Sequence, residues 1–135
     1  MKRRVFIDAD VLISASKGVD EIAAKAMMIL DDPDLEYVSD VFIKLETLPK
    51  AVYNKYLDQV EFLQNYFNSV VEMQDTNPQL IQRAMDEASV YGLGGVDAIH
   101  IVAAKAMGAD EFITKEKPTS SIHRARGISI RSIHI

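Results

Sequence analysis

The sequence predicts an α/β domain built on a mostly parallel sheet with helices on both faces. Short, continuously apolar runs such as "VFI" at 5–7 alternate with longer segments whose apolar residues recur at helical spacing. The first alternation, "VFI", "DEIAAKAMMIL" and "LEYVS", makes a βαβ unit, whose strands should run parallel with a right-handed crossover. No internal repeat, low-complexity segment or long linker interrupts the pattern, so residues 1–135 are expected to form a single domain.

Each element has its own warrant. "VFI" reads as a strand buried on both faces, and "LEYVS" at 35–39 as another. Between them Ile22, Ala26, Ile29 and Leu30 fall on one helical face. In "SDVFIKLETLPKAVYNKY" Ser39 is the expected N-cap, Val41, Leu45 and Leu48 form a stripe, and Pro49 should kink or split the helix. "LDQVEFLQNYF" repeats the helical pattern with Val60, Leu63 and Phe67, and "VVEM" at 70–73 suggests a short strand. In "NPQLIQRAMDEASVYGLGG", Asn77 and Pro78 take the favoured N-cap and N1 slots. Ile81, Ala84, Met85 and Ala88 face one way, and Gly92 stops the helix. An apolar helix follows from Asp97 to Gly108, then "EFIT" as a strand. In the closing "GISIRSIHI" the apolar alternation changes phase after Ile130, as at a bulge or the end of an edge strand.

Composition narrows the chemistry. The chain has 135 residues, 48% of them hydrophobic and 26% charged, enough for one compact core. It has no cysteine, so a divalent metal would have to be held by carboxylates or histidines, which favours hard cations such as Mg²⁺ or Mn²⁺. The start "MKRRVFID" lacks the apolar core of a signal peptide, and no apolar run approaches membrane-spanning length, so a cytoplasmic protein that avoids membranes is expected. A formal charge of −5 argues against a broad non-specific footprint on nucleic acid. The charge is uneven, however. Residues 115–135 carry Lys115, Lys117, Arg124, Arg126 and Arg131 against the single acid Glu116, leaving room for a local phosphate-binding rim.

The acids point further. In a parallel α/β sheet, sites form outside the carboxyl ends of the strands, near the point where strand order reverses. Asp8 follows "VFI" directly, with Asp10 two residues on, and Glu116 stands two residues past "EFIT". Glu46 flanks a buried helical stripe, and Asp97 opens a late helix with no lysine or arginine close by in sequence. Taken alone, Asp97 is a helix cap, Glu46 a helix-surface acid and Asp8 a turn former. Together they read differently. Two like charges 4 Å apart at an effective dielectric of about 20 repel by roughly 4 kcal/mol, more than a cap returns, so a converging set needs protons or a cation. A divalent metal also brings chemistry, because it polarises phosphoryl oxygens and lowers the pKa of bound water. His100, one turn past Asp97, reads as a packed helix histidine. Lys44 and Lys115 read as solvated cations or phosphate contacts.

"VFIDADVLISA", "SDVFIKLETL", "GVDAIHIVAA" and "ADEFITKEK", taken in order over essentially the whole chain, resemble the PIN-domain family. The resemblance implies a parallel sheet of about five strands, an acidic pocket for Mg²⁺ or Mn²⁺, and cleavage of single-stranded RNA, as in VapC-type toxins of toxin–antitoxin pairs. It also implies an antitoxin partner and a homodimer. Carried over to this chain, Asp8, Glu46 and Asp97 match the acids that hold metal and water. Glu116 falls where members often have aspartate, Thr114 matches the hydroxyl residue before it, and Asp10 falls where many have asparagine. Asp10 and Thr114 would belong to the outer shell. Two departures stand out. Glutamate at 116 is longer by a methylene, and "KPTSSI" after it lacks the apolar residue expected to anchor that loop.

The competing class is a catalytically weak module that binds RNA or a protein on the same fold, since a fold alone does not prove activity. A flap-type DNA nuclease would need extra helical elements that 135 residues do not accommodate.

Overall fold

The computed structural model describes residues 2–135. Its order is β1 (Arg3–Ile7), α1 (Ala9–Lys17), α2 (Glu21–Leu30), β2 (Leu35–Asp40), α3 (Val41–Tyr53), α4 (Leu57–Ser69), β3 (Glu72–Gln74), α5 (Pro78–Tyr91), α6 (Gly95–Ala106), β4 (Glu111–Thr114) and β5 (Ser129–Ser132), with a 3-10 turn at Ser121–Arg124 before β5. The five strands form one sheet in the order β3-β2-β1-β4-β5, and every pairing is parallel. Six helices flank it. The fold class expected from the sequence is therefore the one observed.

The central strands are apolar for a physical reason. Val5, Phe6 and Ile7 of β1 and Phe112 and Ile113 of β4 are fully buried, because helices shield these strands from water. Phe6 and Phe112 stack across the strand pair with ring centroids 5.2 Å apart. From α6 the core takes Ala98, Ile101, Val102, Ala103 and Ala104, a mixture of small and branched residues.

Some local expectations need correcting. Residues 9–17, with no assignment from the sequence, form α1, a short helix that rises directly from Asp8. Asp40, not Ser39, caps α3; its Oδ1 accepts the Ile43 N–H at 2.9 Å. A carboxylate there also suits the positive end of the helix. The stripe on α3 is only partly as expected: Leu48 packs against the core, but Ile43, Thr47 and Ala51 carry the burial and Leu45 is 66% exposed. Pro49 does not split α3. It lies on the exposed side, where water can meet the carbonyl its missing N–H leaves free. The strand near residue 70 starts at Glu72 rather than Val70. On α5, Leu80 and Ala84 carry the burial and Met85 is 58% exposed. The loop after β4 has an apolar anchor after all, since Ile122 is fully buried.

Other local expectations match. Asn77 caps α5 with Pro78 in the first turn, and Gly92 ends it at φ +68°. β5 is an edge strand that stops at Ser132, which accounts for the phase change before the buried Ile133. No helix of the described residues is long and apolar enough to cross a membrane.

Candidate metal centre

Because all strands are parallel, Asp8, Asp40 and the segment Thr114–Glu116 emerge at one edge of the sheet. From β1 the chain order runs outward through β2 and β3, and on the other side through β4 and β5, so the order reverses between β1 and β4. That reversal opens a crevice at the carboxyl ends of the strands. Asp8 and Glu116 stand on its two sides.

One carboxylate oxygen from each of Asp8, Asp97 and Glu116 lies within 4.8 Å of the others. Asp8 caps α1, accepting the Ala9 N–H at 2.8 Å through Oδ1, while its Oδ2 accepts the Thr114 hydroxyl at 2.9 Å. Thr114 in turn accepts the Glu116 N–H at 3.2 Å, and Ser132 donates to the Glu116 carbonyl at 2.6 Å, so the loop after β4 is fixed against the site. Asp10 lies 3.4 Å from the Thr114 hydroxyl and accepts the Lys115 N–H at 3.1 Å. The Lys115 ammonium reaches Ser14 on α1 at 3.1 Å, and the Lys44 ammonium lies over the Phe67 ring, 5.7 Å from its centroid.

Asp97 is not a cap. Gly94 occupies the N-cap position of α6, and no side chain closes that helix end; Asp97 sits in the first turn, beside the cluster. The helix dipole favours a negative charge there.

Burial and mutual repulsion push these carboxyls toward their protonated forms. The Asp8 pKa is pushed up to about 7, first by burial and then by the charge of Asp10, against the opposing charge of His100 and the bond from Thr114. Burial also raises Asp10, which the Lys115 N–H opposes. Asp97 is raised by burial, with Glu46 and Asp10 adding to the effect and His100 opposing it. Glu116 is raised by burial and then by Asp97 and Asp10. A cation between them would relieve the same strain. One observation favours that cation over protons alone: Glu116 Oε2 is buried without any hydrogen-bond partner. The donor set, all carboxylate oxygen, suits a hard divalent ion, and the extra methylene of Glu116 does not keep it from the cluster.

Glu46 takes a different place. Its Oε1 lies 2.6 Å from His100 Nε2, and His100 Nδ1 lies 2.7 Å from Asp40 Oδ2. Burial works to lower the imidazole pKa, but the bonds to Asp40 and Glu46 and the charges of Asp40 and Asp8 outweigh it and push His100 up to about 10. Neither Asp40 nor His100 stands out as a site residue in the sequence. Asp40 is concealed as a helix cap, and one signal was available for His100: it sits one turn past Asp97 on the same helix.

Neither a protein-family model nor a curated protein matches the chain by sequence. Solved structures do match by shape. A chain of the VapBC2 complex of Rickettsia felis, bound to a fragment of its promoter DNA, aligns with a TM-score of 0.70 at 11% identity, covering 96% of this chain and 98% of that one. A chain of the DNA-bound VapBC complex of Salmonella typhimurium aligns with a TM-score of 0.64 at 17% identity, covering 98% of each. The chain has the PIN-like α/β fold. VapC20 of Mycobacterium tuberculosis, described as a toxin that cleaves the sarcin-ricin loop, aligns with a TM-score of 0.64 at 13% identity over 80% of this chain and 86% of that one. Within the PIN-like fold of this chain, Asp8, Asp97 and Glu116 converge, Asp10 and Thr114 flank them, and Glu46 bonds His100, one turn past Asp97 on α6.

Proposed function

We propose that the protein is a Mg²⁺- or Mn²⁺-dependent endoribonuclease acting on single-stranded RNA, the toxin of a toxin–antitoxin pair. The observation that carries this reading is the convergence of Asp8, Asp97 and Glu116, with one Glu116 oxygen buried and unpartnered. Fold and site support it together, since solved structures of this shape include chains of VapBC complexes and a toxin that cleaves the sarcin-ricin loop.

Asp8, Asp97 and Glu116 would hold the ion, with Glu46 at the edge of the set. When bound, the ion supplies Lewis acidity toward a phosphodiester and makes hydroxide available near neutral pH. The chain's own residues do the rest. Thr114 fixes the Asp8 carboxylate and the Glu116 backbone, and Asp10, turned toward the Lys115 N–H, adds negative charge that raises the cluster's demand for a cation. Glu46 also lines a groove with Lys17 and Lys50, in which the lysines can meet backbone phosphates. An antitoxin offering a basic segment would be drawn to the same acidic edge. A homodimer and a cytoplasmic location belong to the same reading.

The test is cleavage of a mixed-sequence single-stranded RNA with Mn²⁺ or Mg²⁺, run beside an Asp97→Asn variant prepared identically. Metal-dependent cleavage absent from the variant supports the reading. A folded wild type that takes up metal but leaves RNA intact favours the RNA- or protein-binding module instead. One that takes up no metal removes the nuclease reading.

A further inference from the structure

Of the three histidines, only His100 is buried, and its ring is held from both ends. Nδ1 stands 2.7 Å from Asp40 Oδ2, and Nε2 stands 2.6 Å from Glu46 Oε1. Each contact requires a shared proton, so the three side chains together carry two protons and a single net negative charge, whichever partner holds each proton. The two carboxylates differ in freedom. Asp40 is fully buried at the end of β2 and fixed by its bond from the Ile43 N–H. Glu46, on the outer side of α3, keeps 41% of its side chain exposed, and a glutamate without a tie there would sample several rotamers. Asp97 lies one turn before His100 on α6, and of the two carboxylates tied to the ring it is Glu46 whose charge acts on Asp97.

We propose that His100 is a positioning residue: it anchors Glu46 to the buried Asp40 and so holds the Glu46 carboxylate at the rim of the Asp8–Asp97–Glu116 cluster. This rests on the reading of that cluster as a metal site. Phe6 backs the imidazole, with ring centroids 5.7 Å apart, so the ring has little room to swing away. Outer partners that orient a metal ligand typically change metal affinity or activity by about 10–100-fold when removed.

The experiment has two parts. In ¹⁵N-edited NMR of the metal-free protein, a slowly exchanging ring N–H is expected for His100, and Glu46→Gln should move the Nε2 resonance and spare the Nδ1 resonance. Mn²⁺ affinity is then measured for Glu46→Gln, His100→Asn and the double variant. His100→Asn can still donate to Asp40 but is too short to reach Glu46. It should weaken Mn²⁺ binding by about 10–100-fold in the wild-type background and cause no further loss in the Glu46→Gln background. Should His100→Asn fail to fold, Asp40→Asn, which keeps the helix cap, enters the same cycle and should show a smaller loss that is likewise absent beside Glu46→Gln. Equal losses in both backgrounds, or an Nε2 resonance that Glu46→Gln leaves unmoved, would overturn the inference while leaving the metal site standing. A wild type that takes up no Mn²⁺ would instead overturn the reading of the cluster on which the inference depends.

Discussion

Thr114 Oγ1 donates to Asp8 Oδ2 at 2.9 Å across the β1–β4 pair, at the point where the strand order reverses. Both residues are buried, so this bond sets which way the most enclosed carboxylate of the cluster faces. Thr114→Val keeps the shape and removes the hydroxyl. We expect a stability loss of about 1–2 kcal/mol, because Asp8 loses a donor and the Glu116 N–H loses its acceptor. Mn²⁺ binding should weaken as well. Urea denaturation and Mn²⁺ titration of the folded variant check this, and an unchanged Mn²⁺ affinity would show that the bond does not orient Asp8.

Asp97→Asn should leave the metal-free protein as stable as the wild type or slightly more so, because Asp97 caps nothing and its charge is disfavoured by burial, Glu46 and Asp10. With Mn²⁺ present the order should reverse. An ion bound only by the folded wild type stabilises it by about 2.7 kcal/mol at a hundred times Kd. Thermal melts with Mn²⁺ and with chelator separate the two conditions; a variant that unfolds without metal would mean that Asp97 is structural.

The Asp8 carboxyl, held up to about 7 by burial and then by Asp10, ionises near 3.9 when unfolded. The folded chain therefore holds this proton more tightly, and the resulting stability is complete below the unfolded value and lost as pH rises through about 7. Relative to Asp8→Asn, the metal-free wild type should lose on the order of a few kcal/mol between pH 4 and 7.5. Mn²⁺ affinity should climb over the same range, since binding displaces the proton. Urea midpoints of the two proteins across that window decide the matter, with parallel curves counting against it.

Gly92 ends α5 at φ +68°, and a Cβ there would stand 2.7 Å from Arg124 Nη1. The guanidinium can move, so most of the cost is backbone strain. Gly92→Ala should lose about 1–2 kcal/mol. RNA cleavage should persist if that activity is present, because Gly92 is outside the acidic cluster. A chemical melt and a cleavage assay on the same preparation test both halves.

Much of this protein was decided by local pattern alone. Short apolar runs marked β1 and β4, helical spacing marked α2, α4, α5 and α6, and Asn77, Pro78 and Gly92 marked the ends of α5, because backbone geometry and burial act on neighbouring residues. Asp8, Glu116 and Asp97 were legible as site candidates because each stands where a buried element begins or ends. Only the tertiary structure decided which acids meet. Packing of α6 against β2 and α3 puts His100 between Asp40 and Glu46, residues 60 and 54 positions away, so that Glu46 bonds an imidazole. The same packing leaves Asp97 facing Asp8 and Glu116 instead of closing its helix. No local pattern carries such information, because the energy of a buried charge depends on which groups the rest of the chain brings within a few ångströms of it.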